Sequence, residues 1–298
     1  MALKLSGFVR ALVRSAVIAV VTYTGVCGFV AWKKEDIIFP LRGRERATHQ
    51  VVLPGFETWW LKTSEGEVEA WWRPAEGAGA ETPAPAVLVF HGNGELIDDS
   101  RDFAERWHGL GVHVLLVEYR GYGRSAGSPS INACRADAVA WFDRLAARAD
   151  VRRDLILSHG FSLGGAFAAE LAGQRPVGGL VMEGGLASLL ESAHDRGIWL
   201  ILTRERFDAV AVLRHLPLEV PVLITQGRGD EVVPPRHGEL LASARPGAKM
   251  VWGNGGHYPQ TVTDRPELLA ELLVSAKARA ALAMPDKGLA PAAGNSAL

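Results

Sequence analysis

What most constrains this chain is a series of short, continuous apolar runs, each followed by a helical pattern. Ala86-Val87-Leu88-Val89-Phe90 is the first, and similar runs recur at residues 112–117, 155–158, 179–182, 222–225 and 250–252. A strand with one wet face alternates apolar and polar residues, so a run without alternation is covered on both faces. Helical periodicity occupies about residues 100–110, 131–149, 163–174, 235–244 and 266–282. Strands alternating with helices imply right-handed crossovers and a mostly parallel sheet with helices on both faces.

Ahead of this series lie two strand-like stretches, residues 57–63 and 67–73, around Ser64-Glu65-Gly66. If Glu65-Gly66 is the loop, Trp60 faces Trp71 and Trp59 faces Trp72, and cross-strand aromatic pairs of this kind stabilise a hairpin. Core packing is the expected role of these tryptophans.

The N-terminus has a different character. No charge occurs between Ser15 and Trp32, a stretch just long enough to cross a bilayer as one helix. Lys4, Arg10 and Arg14 precede it, and Lys33 and Lys34 follow. Val26-Cys27-Gly28 makes a poor cleavage site, which favours an uncleaved signal anchor over a removed leader. The expected organisation is an anchor at 1–36, a folded domain at 37–280 and a disordered tail at 281–298. A single-pass membrane location follows; the basic N-tail favours an extracytoplasmic domain, whereas Lys33, Lys34, Arg42, Arg44 and Arg46 after the span argue for the opposite orientation.

Composition narrows the partners. With 32 basic and 33 acidic residues and a net charge of −1, no electrostatic field recruits nucleic acid. Two cysteines, Cys27 and Cys134, are too few for a disulfide framework and read as small buried apolar residues.

In an open parallel sheet, functional groups gather beyond the carboxyl ends of the strands. After the run at 155–158 comes Gly160-Phe161-Ser162-Leu163-Gly164, followed by a helical pattern. Gly-x-Ser-x-Gly at a strand-to-helix turn holds the serine in a strained conformation above the sheet. Serine needs a base, and the base an orienting carboxylate. Asp230 follows the run at 222–225 and His257 follows the run at 250–252. Glu231 is the local rival to Asp230, and each residue taken singly has an ordinary role as a cap or loop residue. The order Ser162, Asp230, His257 is that of one hydrolase architecture. The oxyanion hole requires two backbone N–H donors. Leu163 supplies one, and the loop His91-Gly92-Asn93-Gly94 the other, with Asn93 first choice and Gly94 second.

These motifs, together with Glu118-Tyr119-Arg120-Gly121-Tyr122-Gly123 and Gly229-Asp230-Glu231-Val232-Val233-Pro234, closely resemble the α/β-hydrolase superfamily. The anchor, the tyrosine-rich loop and the short insert are similar to its Bem46-like branch of membrane-anchored serine hydrolases. Gly94 stands where relatives often have alanine. The resemblance implies the α/β-hydrolase fold with a small cap at about 185–215, and places Tyr119 and Tyr122 at the pocket rim. Within the cap, Ile198-Trp199-Leu200-Ile201-Leu202 is its most apolar part, and Trp199 is the candidate contact to an acyl chain. The expected function is a serine esterase, thioesterase or lipase-like enzyme acting on a small-molecule or lipid ester, with no cofactor and no metal. A peptidase on the same triad and a catalytically silent membrane-anchored binding protein are the alternatives. The oligomeric state is not readable from these features.

Overall fold

A computed structural model describes residues 7–43, 52–199, 205–258 and 265–283. Its centre is an eight-stranded sheet: β1 (Glu57–Thr63), β2 (Gly66–Arg73), β3 (Ala84–Phe90), β4 (His113–Val117), β5 (Val151–Phe161), β6 (Leu180–Glu183), β7 (Val222–Gly227) and β8 (Lys249–Gly253), in the order β1-β2-β4-β3-β5-β6-β7-β8. β1 and β2 are antiparallel to each other, β2 is antiparallel to β4, and every later pairing is parallel. This is the mostly parallel sheet that the apolar runs imply, in the α/β-hydrolase arrangement that the resemblance implies.

The alternation inside each run divides two cores. Ala86, Leu88 and Phe90 face one layer, with Trp141 and Phe142 of α4 (Ile131–Ala146) and Phe167 of α5 (Leu163–Gln174). Val87 and Val89 face the other, with Trp107 of α3 (Arg101–Gly109) and Leu269 and Leu273 of α9 (Glu267–Ala283). Helices on both faces therefore remove both sides of the parallel strands from water, which is the main driving force for the arrangement. The Ser130 hydroxyl starts α4 by accepting the Ala133 N–H at 3.1 Å, and Asp208 caps α7 (Ala209–His215) by accepting the Ala211 N–H at 2.9 Å.

The hairpin register differs from the expected one. Thr63 pairs with Gly66, so the loop is Ser64-Glu65, and Trp59 lies opposite Ala70 while Trp60 lies opposite Glu69. Trp59 still stacks on Trp72 at 4.6 Å, but as a diagonal neighbour. Trp71 is buried on the other face beside Phe56, and Trp60 stays at the surface beneath Arg124. Tertiary crowding fixes the turn: at Gly66, φ is +116°, and a Cβ would stand 2.6 Å from the Ala126 side chain.

At the N-terminus, α1 (Gly7–Trp32) is followed almost without a break by α2 (Lys34–Ile38). α2 straddles the expected boundary at residues 36 and 37. Most of α1 is exposed although apolar: Val17, Ile18, Val20 and Val21 are all more than half exposed. The chain is tied to the domain by Phe39, fully buried and stacked on Phe167 at 6.3 Å. The cap region holds α6 (Leu189–His194), while α7 packs against α5 as the sheet-covering helix. Leu200, Ile201 and Leu202 lie outside the described residues, as does the expected tail beyond residue 283. Cys27 and Cys134 are buried free thiols, and burial pushes the Cys134 thiol well up from its ordinary value. The last two helices are α8 (Arg236–Ala244), between β7 and β8, and α9, which follows β8.

Candidate functional site

Three loops at the carboxyl edge of the sheet converge on Ser162. Among the described residues, Ser162 is the one non-glycine with positive φ, at φ 53° and ψ −118°. An L-residue in that region is strained by about 1–3 kcal/mol, and surrounding contacts must hold it there. They do: the Ser162 N–H donates to the Glu183 carbonyl at 2.8 Å, and its own carbonyl accepts the Gly165 N–H at 3.0 Å. The flanking glycines are obligatory. A Cβ on Gly160 would lie 2.0 Å from the Gly164 carbonyl oxygen, and one on Gly164 would lie 2.0 Å from the Phe90 carbonyl oxygen. The tight turn lifts the hydroxyl above the sheet at the start of α5.

His257 follows β8, with Nε2 2.9 Å from Ser162 Oγ and Nδ1 2.8 Å from Asp230 Oδ2. Asp230 Oδ1 accepts the Val232 and Val233 N–H groups at 2.9 and 2.8 Å, and Oδ2 also accepts from Gln226 Nε2 at 2.8 Å. A carboxylate that only accepts requires Nδ1 to carry the proton, which leaves Nε2 free to accept from the serine. Glu231 is exposed and takes no part. The loops of β7 and β8 meet through glycine: Gly229 N–H donates to the Gly255 carbonyl at 3.1 Å, and a Cβ on Gly227 would stand 2.1 Å from the Gly256 carbonyl oxygen.

The loop after β3 faces Ser162 from the opposite side, and Asn93 and Leu163 both line the cleft. As the first residue of α5, Leu163 has an N–H without an intrahelical acceptor. The Asn93 N–H makes no hydrogen bond among the described residues, while its carbonyl accepts the Tyr122 hydroxyl at 2.9 Å. Gly94 is exposed and does not line the cleft.

Behind this loop stands a buried cluster. His91 Nδ1 lies 2.8 Å from the Gly92 carbonyl oxygen and Nε2 2.8 Å from Glu118 Oε1. With Nδ1 facing a carbonyl and Nε2 a carboxyl group, the setting favours the doubly protonated ring. Burial alone would lower its pKa, but the charge and hydrogen bond of Glu118 outweigh burial and raise it. The Tyr119 hydroxyl donates to the His91 carbonyl at 2.6 Å. Glu95 accepts the Gly92 N–H at 2.7 Å, and burial raises its carboxyl above the ordinary value.

Three expected contacts are placed elsewhere. Tyr119 and Tyr122 are buried behind the loop after β3, where they hold its carbonyls instead of shaping the rim. Trp199 is 67% exposed and stacks on His194 at 4.3 Å, outside the cleft lining. The cleft itself, about 360 Å³, lies between the cap and the N-terminal helices. Leu186, Leu189 and Phe207 form one wall, and Val30, Ala31 and Ile38 the facing one. Sequence reasoning missed this second wall, although the signal was available: Cys27, Val30, Ala31, Lys34, Ile37 and Ile38 recur at helical spacing on one face.

The arrangement joins a serine hydroxyl, a histidine and a buried carboxylate by hydrogen bonds, beside a cleft that Asn93 and Leu163 also line. Comparison with known proteins agrees on the class. The family model Hydrolase_4, described as serine aminopeptidase, S33, matches residues 81–187. An uncharacterized protein of Mycobacterium tuberculosis is 35% identical over 261 residues, covering 86% of this chain and 91% of its own. The α/β hydrolase domain-containing protein WAV2 of Arabidopsis thaliana is 30% identical, covering 66% of this chain and 74% of its own. The protein bem46 of Schizosaccharomyces pombe is 29% identical, covering 53% and 55%. The crystal structure of an α/β hydrolase from Vibrio vulnificus superposes with a TM-score of 0.67 at 21% identity, covering 80% of this chain and 91% of that one. The chain belongs to the α/β-hydrolase superfamily, and bem46 is among its relatives.

Proposed function

We propose that this hydrolase cleaves carboxylic ester or thioester bonds of a lipid-like or acylated substrate through an acyl-enzyme on Ser162. The observation that carries the reading is the position of His257, bonded at once to Ser162 Oγ and Asp230 Oδ2. As Oγ attacks the carbonyl carbon, His257 Nε2 takes the hydroxyl proton, and Asp230 holds the ring and stabilises its charge. The oxyanion is received by the Asn93 and Leu163 N–H groups, each worth about 3–4 kcal/mol of transition-state stabilisation. Collapse expels the alcohol or thiol, which takes the proton from His257. Water then repeats the attack on the acyl-enzyme, releases the acid and restores Ser162.

An aminopeptidase activity would need a carboxylate for the substrate ammonium. Among the described residues that line the cleft there is none; the charged side chains are Lys34 and Arg196, both basic. The lining favours an acyl chain. Helix α1 is read as a single-span anchor, since it is apolar over a sufficient length and largely exposed. The basic residues before it favour a domain on the extracytoplasmic side, and protease protection of intact spheroplasts tests that placement.

The deciding experiment is labelling by a fluorophosphonate probe. Wild-type protein is expected to label, and Ser162→Ala and His257→Ala are not. A folded wild type that does not label favours a silent binding protein; labelling that survives Ser162→Ala removes the nucleophile assignment.

A further inference from the structure

The cleft over Ser162 is not built by the hydrolase domain alone. One face of the N-terminal helices, from Cys27 through Val30 and Ala31 to Lys34 and Ile38, forms the wall opposite the cap. Cys27 is 1% exposed, whereas Val26, Phe29 and Trp32 on the other faces are 45, 58 and 71% exposed. The wall is also fastened at several points. The Tyr23 hydroxyl donates to the Gly197 carbonyl at 3.3 Å and accepts the Trp199 N–H at 2.7 Å. Lys34 pairs with Glu205 at 3.3 Å, and Phe39 is fully buried in the core.

The depth of this wall follows from the chain's own polarity. The uncharged stretch ends at Trp32, whose ring carries the Lys33 ammonium 4.5 Å from its centroid. An exposed tryptophan followed by lysines marks the boundary between hydrocarbon and headgroups. Cys27 to Ala31 therefore lies on the hydrocarbon side of that boundary, while Ser162 opens into the same cleft.

We propose that the spanning helix is itself part of the acyl-binding site, and that the substrate is a long-chain acyl ester resident in the same bilayer. Its carbonyl sits at Ser162 and its chain runs between the cap and the Cys27–Ala31 face into the hydrocarbon. This rests on the acyl-transfer reading above and adds the source of the substrate. A water-soluble ester has no use for a wall that continues into the membrane.

The test uses the full chain in phosphatidylcholine vesicles. A hexadecyl fluorophosphonate with a terminal diazirine is attached to Ser162 and irradiated. Crosslinks to the peptide containing residues 27–31 are expected; crosslinks confined to residues 186–199 or 232–233 overturn the proposal. Failure of the probe to react with Ser162 at all is a different result, and sinks the acyl-transfer reading instead. Ala31→Trp, which fills the groove from the helix side, is expected to lower the ratio of kcat/KM for a long-chain monoacylglycerol to that for p-nitrophenyl acetate about tenfold or more. Equal loss of both activities at an unchanged melting temperature, or no loss, overturns the wall. Finally, a long-chain ester is expected to be cleaved when it shares the enzyme's vesicles and spared in separate vesicles. Equal cleavage in both overturns the bilayer as source.

Discussion

From a fully buried position, Tyr122 donates its hydroxyl to the Asn93 carbonyl at 2.9 Å, and the same oxygen accepts the Leu41 N–H at 3.3 Å. One phenol thus links the segment following α2 to the loop after β3, whose Asn93 lines the cleft with Ser162. In Tyr122→Phe the Asn93 amide loses its support but stays in place part of the time. We expect kcat for a p-nitrophenyl ester to fall about tenfold, less than the 100- to 1,000-fold that losing an oxyanion donor costs, with KM little changed. Steady-state kinetics decide it, and an unchanged kcat separates the phenol from catalysis.

The Asp230 carboxylate collects four hydrogen bonds, three of them from groups other than His257. Asp230→Asn keeps the shape but presents an N–H or an unsuitable tautomer to the histidine. A loss of about 10⁴-fold in kcat is expected, by analogy with other triads. Glu231→Gln is expected to retain activity within about twofold, as exposed side chains away from the chemistry contribute little. The opposite pattern in the same ester assay would move the acid to Glu231.

Gly227→Ala tests how the β7 and β8 loops meet. The new Cβ would stand 2.1 Å from the Gly256 carbonyl oxygen, a backbone atom that cannot move without His257. Destabilisation of about 1–3 kcal/mol is expected from the overpacking, together with loss of fluorophosphonate labelling. Thermal melts and gel fluorescence read the two effects, and a variant that melts and labels like wild type refutes the close packing.

His91 gives the fold a pH dependence. Its pKa is raised by Glu118 against the effect of burial, and Glu95, Tyr119 and Tyr122 are its other polar neighbours. A raised histidine stabilises the folded chain fully below the ordinary value of 6.5 and loses that contribution as pH rises through the folded value. Wild-type melting temperature is expected to fall on the alkaline side, and His91→Gln to lose this limb. Parallel pH–melting profiles for the two proteins count against the imidazolium.

How much of this was legible depends on the range over which each feature is encoded. The parallel sheet was legible because strands covered on both faces carry no polar alternation. The candidate triad was legible because each member directly follows such a run. The hairpin register was not: Trp59, Trp60, Trp71 and Trp72 suit two pairings, and the close approach of Ala126 to Gly66 decides between them. Tyr119 and Tyr122 were visible as residues of the right loop, but nothing local says which side of a loop an aromatic ring takes.

By itself, the sequence determined the elements and the groups available for chemistry. Periodicity and turn stereochemistry act within a few residues, and Gly160-Phe161-Ser162-Leu163-Gly164 has to turn as it does because side chains at the glycines would collide with backbone. Tertiary structure decided which distant surfaces share the cleft. Burial of Phe39 against Phe167 brings the end of α1 to Ser162, and the cavity between them exists only once both are packed.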